Sequence, residues 1–294
     1  MKKLKVQDSI LLVTFYLFIA IFAILCLIPF VLVFSCSITD ELHILKYGYN
    51  LLPGKITFEA YSYIFRTDKL TNAYMVTIFV TAVGTLLSLV FSSMLAYSIS
   101  LNTVRYRNQI AFFVFFTMLF NGGLVPTYIL ISKYLHLKDS IWVLIIPSLI
   151  NPWLMFLLRN FFKTIPVSLS ESARIDGAND IYILFKIILP LSLPAMATIG
   201  LFYALGYWNE WFRALLFIEN TKLYPLQYII MYILRSVDFA NIIAKEAGIS
   251  SNTLIPAYST RMATTIVTIG PIIFIYPFVQ KYFIKGLTVG AIKG

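Results

Sequence analysis

Few side chains in this sequence have a type and spacing that could do chemistry. Tyr203, Tyr207, Asn209 and Glu210 close one apolar run, beside Trp208, Trp211, Phe212 and Arg213. Flat rings next to amide and carboxylate acceptors suit the apolar faces and hydroxyl edges of pyranose sugars, so these four residues are candidate solute contacts. Aromatic residues with a charged pair at the end of an apolar run also make an interfacial belt, and that reading stands beside the first. Asn121-Gly122-Gly123, with Pro126 close behind, interrupts a second apolar run. Irregular backbone inside a membrane survives only where protein or a water-filled cavity satisfies it, which adds Asn121 to the candidates. Support for catalysis is thinner. Glu210 with Arg213 is not a convergent set of acid, base or metal ligands. His43 and His136 stand alone, and Cys26 and Cys36, ten residues apart on one helix, would lie about 15 Å apart, too far for a disulfide. No Gly-x4-Gly-Lys-[Ser/Thr] loop occurs, so the chain has no ATP site of this type, and no cluster of ionisable residues within the apolar runs offers a proton relay. No metal and no cofactor of its own is expected.

What must position these residues is a series of apolar segments. The chain is 60% hydrophobic and 12% charged, with a mean hydropathy of +0.84, where a soluble domain is about 25% charged. A helix needs roughly 20 apolar residues to cross the hydrocarbon core. Six charge-free windows qualify: between Asp8 and Asp40, Lys69 and Arg105, Arg107 and Lys133, Asp139 and Arg159, Lys186 and Glu210, and Arg261 and Lys281. The expectation is an all-α membrane protein, a single transmembrane domain over 1–294 with six transmembrane helices. The net charge of +10 then reflects membrane orientation and not nucleic acid. Lys and Arg divide almost equally between the two sides, but the outer segments are longer. The N-terminal side is therefore denser in basic residues, which puts both termini in the cytoplasm.

Taken in order, the first run, Ile10 to Phe34, is longer than a signal-peptide core and lacks a small-x-small exit, so it reads as a retained helix. An outer loop follows, with Pro53-Gly54 as a turn and a short helix near Phe58-Glu59-Ala60-Tyr61. The second span carries Thr77, Thr81, Thr85, Ser88 and Ser92 on one face, which suits close helix packing first and a pore lining second. Pro147 and Asn151-Pro152 should kink the fourth span. The segment from Ile218 to Arg261 reads as a polar outer loop, and the last span as Met262 to Tyr282.

Between the fourth and fifth spans lies a polar, then amphipathic, insert. Ser168 and Glu171 have capping-box spacing, which predicts a helix start. Gly177 should end that helix, and Asn179 or Asp180 should cap a second one reaching Leu189, with Ile181, Leu184, Phe185 and Ile188 on one face. Pro190 and Pro194 follow. Periodicity alone leaves this insert as a capped connector.

Its residues also resemble a known element. Glu171-Ser172-Ala173, Asp176-Gly177-Ala178 and the Ile187 to Pro190 close look like the "EAA" loop of permease subunits of bacterial ATP-binding-cassette importers. Asn121 to Tyr128, Arg159-Asn160-Phe161-Phe162 and the tail Lys285 to Gly294 extend the resemblance over nearly the whole chain. They point to maltose-type carbohydrate importers, the MalG-like permease of the complex-oligosaccharide branch. The resemblance implies that 160–190 is a cytoplasmic coupling loop. In it Glu171 would pair with a basic residue of an ATPase, Gly177 would permit a tight bend, and Ala173 and Ala178 would allow close approach. Ser172 replaces the usual alanine, a small-for-small change. The tail, 286–294, would be a second cytoplasmic contact. The implied assembly is a plasma-membrane heterodimer with a second homologous permease, two cytoplasmic ATPase subunits that bind ATP and Mg, and an extracytoplasmic solute-binding protein delivering an oligosaccharide. Asn241, Lys245 and Ser251 would reach that binding protein.

Two rival classes remain at this level. A stand-alone ion-coupled carrier of small solutes would need internal repeats and midplane charges, and neither is found. A membrane enzyme would need the convergent site that is missing. The outer basic residues Lys133, Lys138, Lys222, Arg235 and Lys245 fit an acidic sugar polymer, and equally a solvated surface.

Overall fold

The computed structural model describes residues 6–65, 69–246 and 256–270. Among these residues there is no β-strand; a single isolated bridge joins Thr39 to Ile56. The chain runs through α1 (Val6–Ser37), α2 (Glu41–Tyr47), α3 (Glu59–Ile64), α4 (Lys69–Ser100), α5 (Arg107–Leu119) and α6 (Leu124–Ile129), the last extended by a π-turn over Leu130–Tyr134. Two 3-10 turns, Ile141–Leu144 and Ile146–Ser148, lead into α7 (Pro152–Phe162) and α8 (Val167–Ile175). Next come α9 (Asp180–Ile183), a π-turn (Leu184–Ile188), α10 (Leu189–Leu191), α11 (Leu193–Trp208), α12 (Phe212–Phe217) and α13 (Leu226–Glu246). A last described helix, α14, covers 257–270. Of the last expected span, residues from 271 onward lie outside the described residues, as do the tail 286–294 and Ser251.

Leu11–Ser37 and Lys69–Ser100 are each long and apolar enough to cross a membrane. Three bent pairs qualify when taken together: Arg107–Leu119 with Leu124–Tyr134 at 115°, Ile141–Ser148 with Pro152–Phe162 at 48°, and Asp180–Leu191 with Leu193–Trp208 at 89°. The first two bends fall at the Asn121-Gly122-Gly123 and Pro147 to Pro152 breaks. At the first, Gly123 takes φ +85, open to glycine and costly for other residues. At the second, the Asn151 side chain accepts from the Leu154 amide at 3.2 Å and caps α7.

The described residues fall into two compact units. The first comprises the chain to residue 65 together with 230–270. Residues 11–31 of α1 are exposed on all sides and mostly apolar, as a lipid-facing helix requires. Here Glu41, at the start of α2, caps α14: its carboxylate accepts from the amides of Ala257, Tyr258 and Ser259, each at 2.9 Å, and from the Ser259 hydroxyl at 2.8 Å. Arg261 of α14 reaches both oxygens of Asp238 at 3.0 Å.

The second unit, 69–229, is organised on α4, which packs against α7 and α11. Val80, Ile99, Leu144, Met155, Leu158 and Ile183 are fully buried there. The hydroxyl face of α4 makes this contact. The Ser88 and Tyr207 hydroxyls pair at 2.9 Å and those of Ser92 and Tyr203 at 2.7 Å, while Thr77 accepts from the Leu226 amide at 2.8 Å. Gly84 lets the α11 ring approach, since a Cβ there would sit 2.8 Å from Tyr207.

The segment from Ile218 to Arg261 is not a polar loop, as expected, but largely the helix α13. Leu226, Ile229, Ile230 and Val237 are buried at three- and four-residue spacing, while Arg235 and Asp238 are exposed. Arg235 and Asp238 interrupt the apolar run of α13 without breaking its amphipathic stripe.

Candidate docking loop and solute cavity

The loop after α7 is built by backbone chemistry. Its first helix begins one residue before Ser168, because Pro166 sits at the N-cap with φ −58 and the chain enters α8 at Val167. Ser168 is thus inside the first turn, and the expected capping box with Glu171 does not form. The C-terminus of α8 closes as the sequence predicts. Gly177 lies at φ +86; its amide bonds to the Arg174 carbonyl at 3.0 Å, and the Ala178 amide bonds to the Ala173 carbonyl at 2.9 Å. This is the paired closure that needs a left-handed residue just past a helix end, where glycine carries no Cβ penalty. Asn179 then caps α9 by accepting from the Tyr182 amide at 2.8 Å. Across the turn the Arg174 guanidinium holds the Asp180 carboxylate at 2.7 Å, and this hydrogen bond raises the arginine pKa above its ordinary value.

The expected apolar face of the second helix divides in two. Ile183, Leu184 and Ile188 are buried in the core of the unit, whereas Ile181, Tyr182 and Phe185 are exposed. The π-turn at Leu184–Ile188 advances the register, so 181 and 185 no longer share a side with 184 and 188. Ile175, at the end of α8, is 87% exposed. The structure brings Ala173, Asp176, Gly177 and Ala178 to one cleft of about 540 Å³, together with Tyr182 and Lys186. Glu171 lies on a different cavity, beside Lys163 and Arg174, while Ser172 and Pro190 are exposed outside both.

The candidate solute contacts separate likewise. Asn121 and Glu210 line one cavity of about 490 Å³, with Thr127, Phe212, Arg213 and Phe217. The Asn121 side-chain oxygen accepts from the Gly123 amide at 2.9 Å, so its NH2 group is not used in that turn. Glu210 accepts from the Arg213 amide at 2.9 Å with one oxygen and pairs with the Arg213 guanidinium through the other. Tyr203 and Tyr207 do not line this cavity. Their hydroxyls are buried against α4, where Tyr203 also accepts from the Asn151 amide at 2.9 Å and Tyr207 donates to the Ile145 carbonyl at 3.2 Å. Asn209 is exposed, donating to the Leu205 carbonyl and accepting from Gln227.

No protein-family model matches the chain. Whole-length relatives do. The polygalacturonan/rhamnogalacturonan transport system permease protein YtcP of Bacillus subtilis (strain 168) is 40% identical over 279 residues, 95% of this chain and 96% of that protein. Protein LplC of the same organism is 38% identical over 269 residues, 91% of this chain and 90% of its own. A crystal structure of a bacterial ABC transporter involved in the import of the acidic polysaccharide alginate superposes with a TM-score of 0.80 at 33% identity, covering 96% of this chain and 100% of the other. The chain belongs to the permease subunits of bacterial ATP-binding-cassette carbohydrate importers.

The permease is therefore a membrane-embedded transport subunit and not an enzyme, and it works with ATPase and solute-binding protein partners. A carrier acting alone is not favoured. Two features of the permease escape sequence reasoning. One is the Glu41 cap on α14, whose partners lie more than 200 residues apart. The other is the approach of Arg107, at the start of α5, to Arg159 and Lys163 at the end of α7, a meeting of two helices that tertiary packing creates.

Proposed function

We propose that the permease moves an acidic oligosaccharide from an extracytoplasmic binding protein into the cytoplasm, driven through the loop 160–190 by two ATPase subunits. The observation that carries this reading is a turn locked by Gly177 and Asn179 that holds Ile175, Ile181 and Tyr182 out as an uncovered apolar surface. A rigid element of that kind, on a chain without a P-loop, suits a docking contact with a motor. In this reading Glu171, Ser172, Ala173, Asp176, Gly177, Ala178 and Pro190 form the coupling element. Both termini and the loop are cytoplasmic, α14 begins a sixth span, and a second, homologous permease completes the pore. ATP and Mg stay on the ATPases, whose closure shifts the helices between outward- and inward-open packings by binding one state better than the other. The acidic substrate is supported by relatives that carry polygalacturonan, rhamnogalacturonan and alginate in their names.

The cavity holding Asn121, Glu210 and Arg213 is the proposed solute contact; Tyr203 and Tyr207, whose hydroxyls are engaged against α4, and the exposed Asn209 lie outside its lining. The test is the ATPase activity of the reconstituted complex with its binding protein, against neutral and uronate oligosaccharides of matched length. Stimulation by the uronates alone is expected, with Arg213→Gln and Glu210→Gln each lowering it about tenfold through loss of a charge at the cavity wall, where a hydrogen bond to a charged group contributes about 1.5–3 kcal/mol. Stimulation by neutral sugars only would overturn the acidic assignment.

A further inference from the structure

Three span ends converge beneath the docking loop: the close of α4 at Ser100, the start of α5 at Arg107 and the end of α7 at Phe162. A cavity of about 380 Å³ opens there, walled by Leu101, Phe162, Ile165 and Val167 on its apolar part and by Asn102 and Lys163 on its polar part. Arg159 is fixed beside it. Its Nε donates to the Ile99 carbonyl at 3.2 Å, and its guanidinium lies 5.9 Å from the centre of the Phe156 ring. Arg107 is oriented by the Asn102 side chain. Among the described residues none of Arg107, Arg159 and Lys163 forms an ion pair with a carboxylate. On the described cavity wall Glu171 is the single carboxylate and Lys163 and Arg174 are the cations, Arg174 already engaged by Asp180; Arg107 and Arg159 stand just outside that wall. The repulsion is felt: the charge of Arg159, then partial burial, then Arg107 hold the Lys163 ammonium below the ordinary lysine pKa.

A cluster of cations at the end of membrane spans, beside a half-apolar cavity, has the chemistry of a phospholipid site. We propose that this cavity binds an anionic glycerophospholipid, its phosphate at Lys163 on the cavity wall, with Arg107 and Arg159 as supporting charges just behind that wall, and its first acyl methylenes against Leu101, Phe162 and Val167. A free phosphate would leave the apolar wall unused. The same wall carries Ser170 and Glu171 of α8, so the bound lipid braces the base of the docking loop. This rests on the proposed function only in taking these span ends as the membrane face from which the loop emerges.

The experiment is native mass spectrometry of the intact transporter, purified from bilayers of phosphatidylglycerol and phosphatidylcholine in equal parts. The wild type should retain phosphatidylglycerol preferentially. Lys163→Gln should lower that preference about fivefold, the effect of one basic residue at a lipid surface. Lys163→Glu should abolish it, and Lys163→Arg should restore it. Lys163 is exposed, so these variants leave the fold intact. An equal preference in wild type and K163E would overturn the site. So would displacement of the bound species by inorganic phosphate alone, or loss of the ATPase subunits in K163E with lipid retention unchanged, which would assign the cluster to a protein carboxylate. Lipid retention is read without transport, so its failure is distinguishable from failure of the transport reading.

Discussion

Glu171→Lys together with Ile175→Asp, made in the intact transporter, is expected to lower ATP-dependent uptake about a hundredfold and to strip the ATPase subunits during purification. The size follows from surface chemistry. Ile175 is 87% exposed, and covering it in an interface contributes about 1.5–3 kcal/mol. A buried, unpaired aspartate removes that and adds a desolvation cost of several kcal/mol, and each 1.4 kcal/mol is tenfold in affinity. Both side chains are exposed in the permease, so its melting temperature should stay unchanged, which separates lost docking from lost folding. Gly177→Ala isolates the backbone. No atom lies within 4 Å of the added Cβ, so only the left-handed φ of +86 is penalised, by about 1–2 kcal/mol, and a smaller loss of uptake is expected.

Glu41→Ala is expected to destabilise the permease on the order of 3 kcal/mol, read as an earlier thermal unfolding in detergent. The Glu41 carboxylate meets three backbone amides and one hydroxyl at the start of α14, donors that the helix itself cannot satisfy. A negative charge also suits a helix N-terminus, and hydrogen bonds to a charged group contribute about 1.5–3 kcal/mol where neutral ones give about half that. Glu41→Gln keeps the shape without the charge and should fall between wild type and alanine. If alanine melts with the wild type, α14 is capped by other means.

What the sequence revealed of this permease was local. Gly177 and Asn179 could be read because a left-handed helix end and an N-cap depend on neighbours two to five residues away. The Asn121-Gly122-Gly123 and Asn151-Pro152 breaks could be read for the same reason, and the structure bends at both. Ser168 misled, since its spacing to Glu171 says nothing of Pro166, which sets the helix start. Ile181 and Phe185 misled because a straight helical wheel does not anticipate a π-turn. Helix α13 was hidden by Arg235 and Asp238, which break a hydropathy window but not an amphipathic stripe. The pairing of Ser88 with Tyr207 and of Ser92 with Tyr203, and the meeting of Asn121 with Glu210, join residues 80 or more positions apart and emerge only once α4, α6 and α11 have packed.

An external ATP-driven motor, as proposed for this permease, should leave its signature in uptake. The most direct measurement is solute uptake by proteoliposomes holding the complete transporter and its binding protein, with ATP supplied to the ATPase face and a protonophore added in parallel. Uptake should require ATP, remain indifferent to collapse of the proton gradient, and disappear in the Glu171→Lys, Ile175→Asp variant. Uptake that continues without ATP and stops with the gradient would overturn the motor-driven reading and assign the permease to ion-coupled transport.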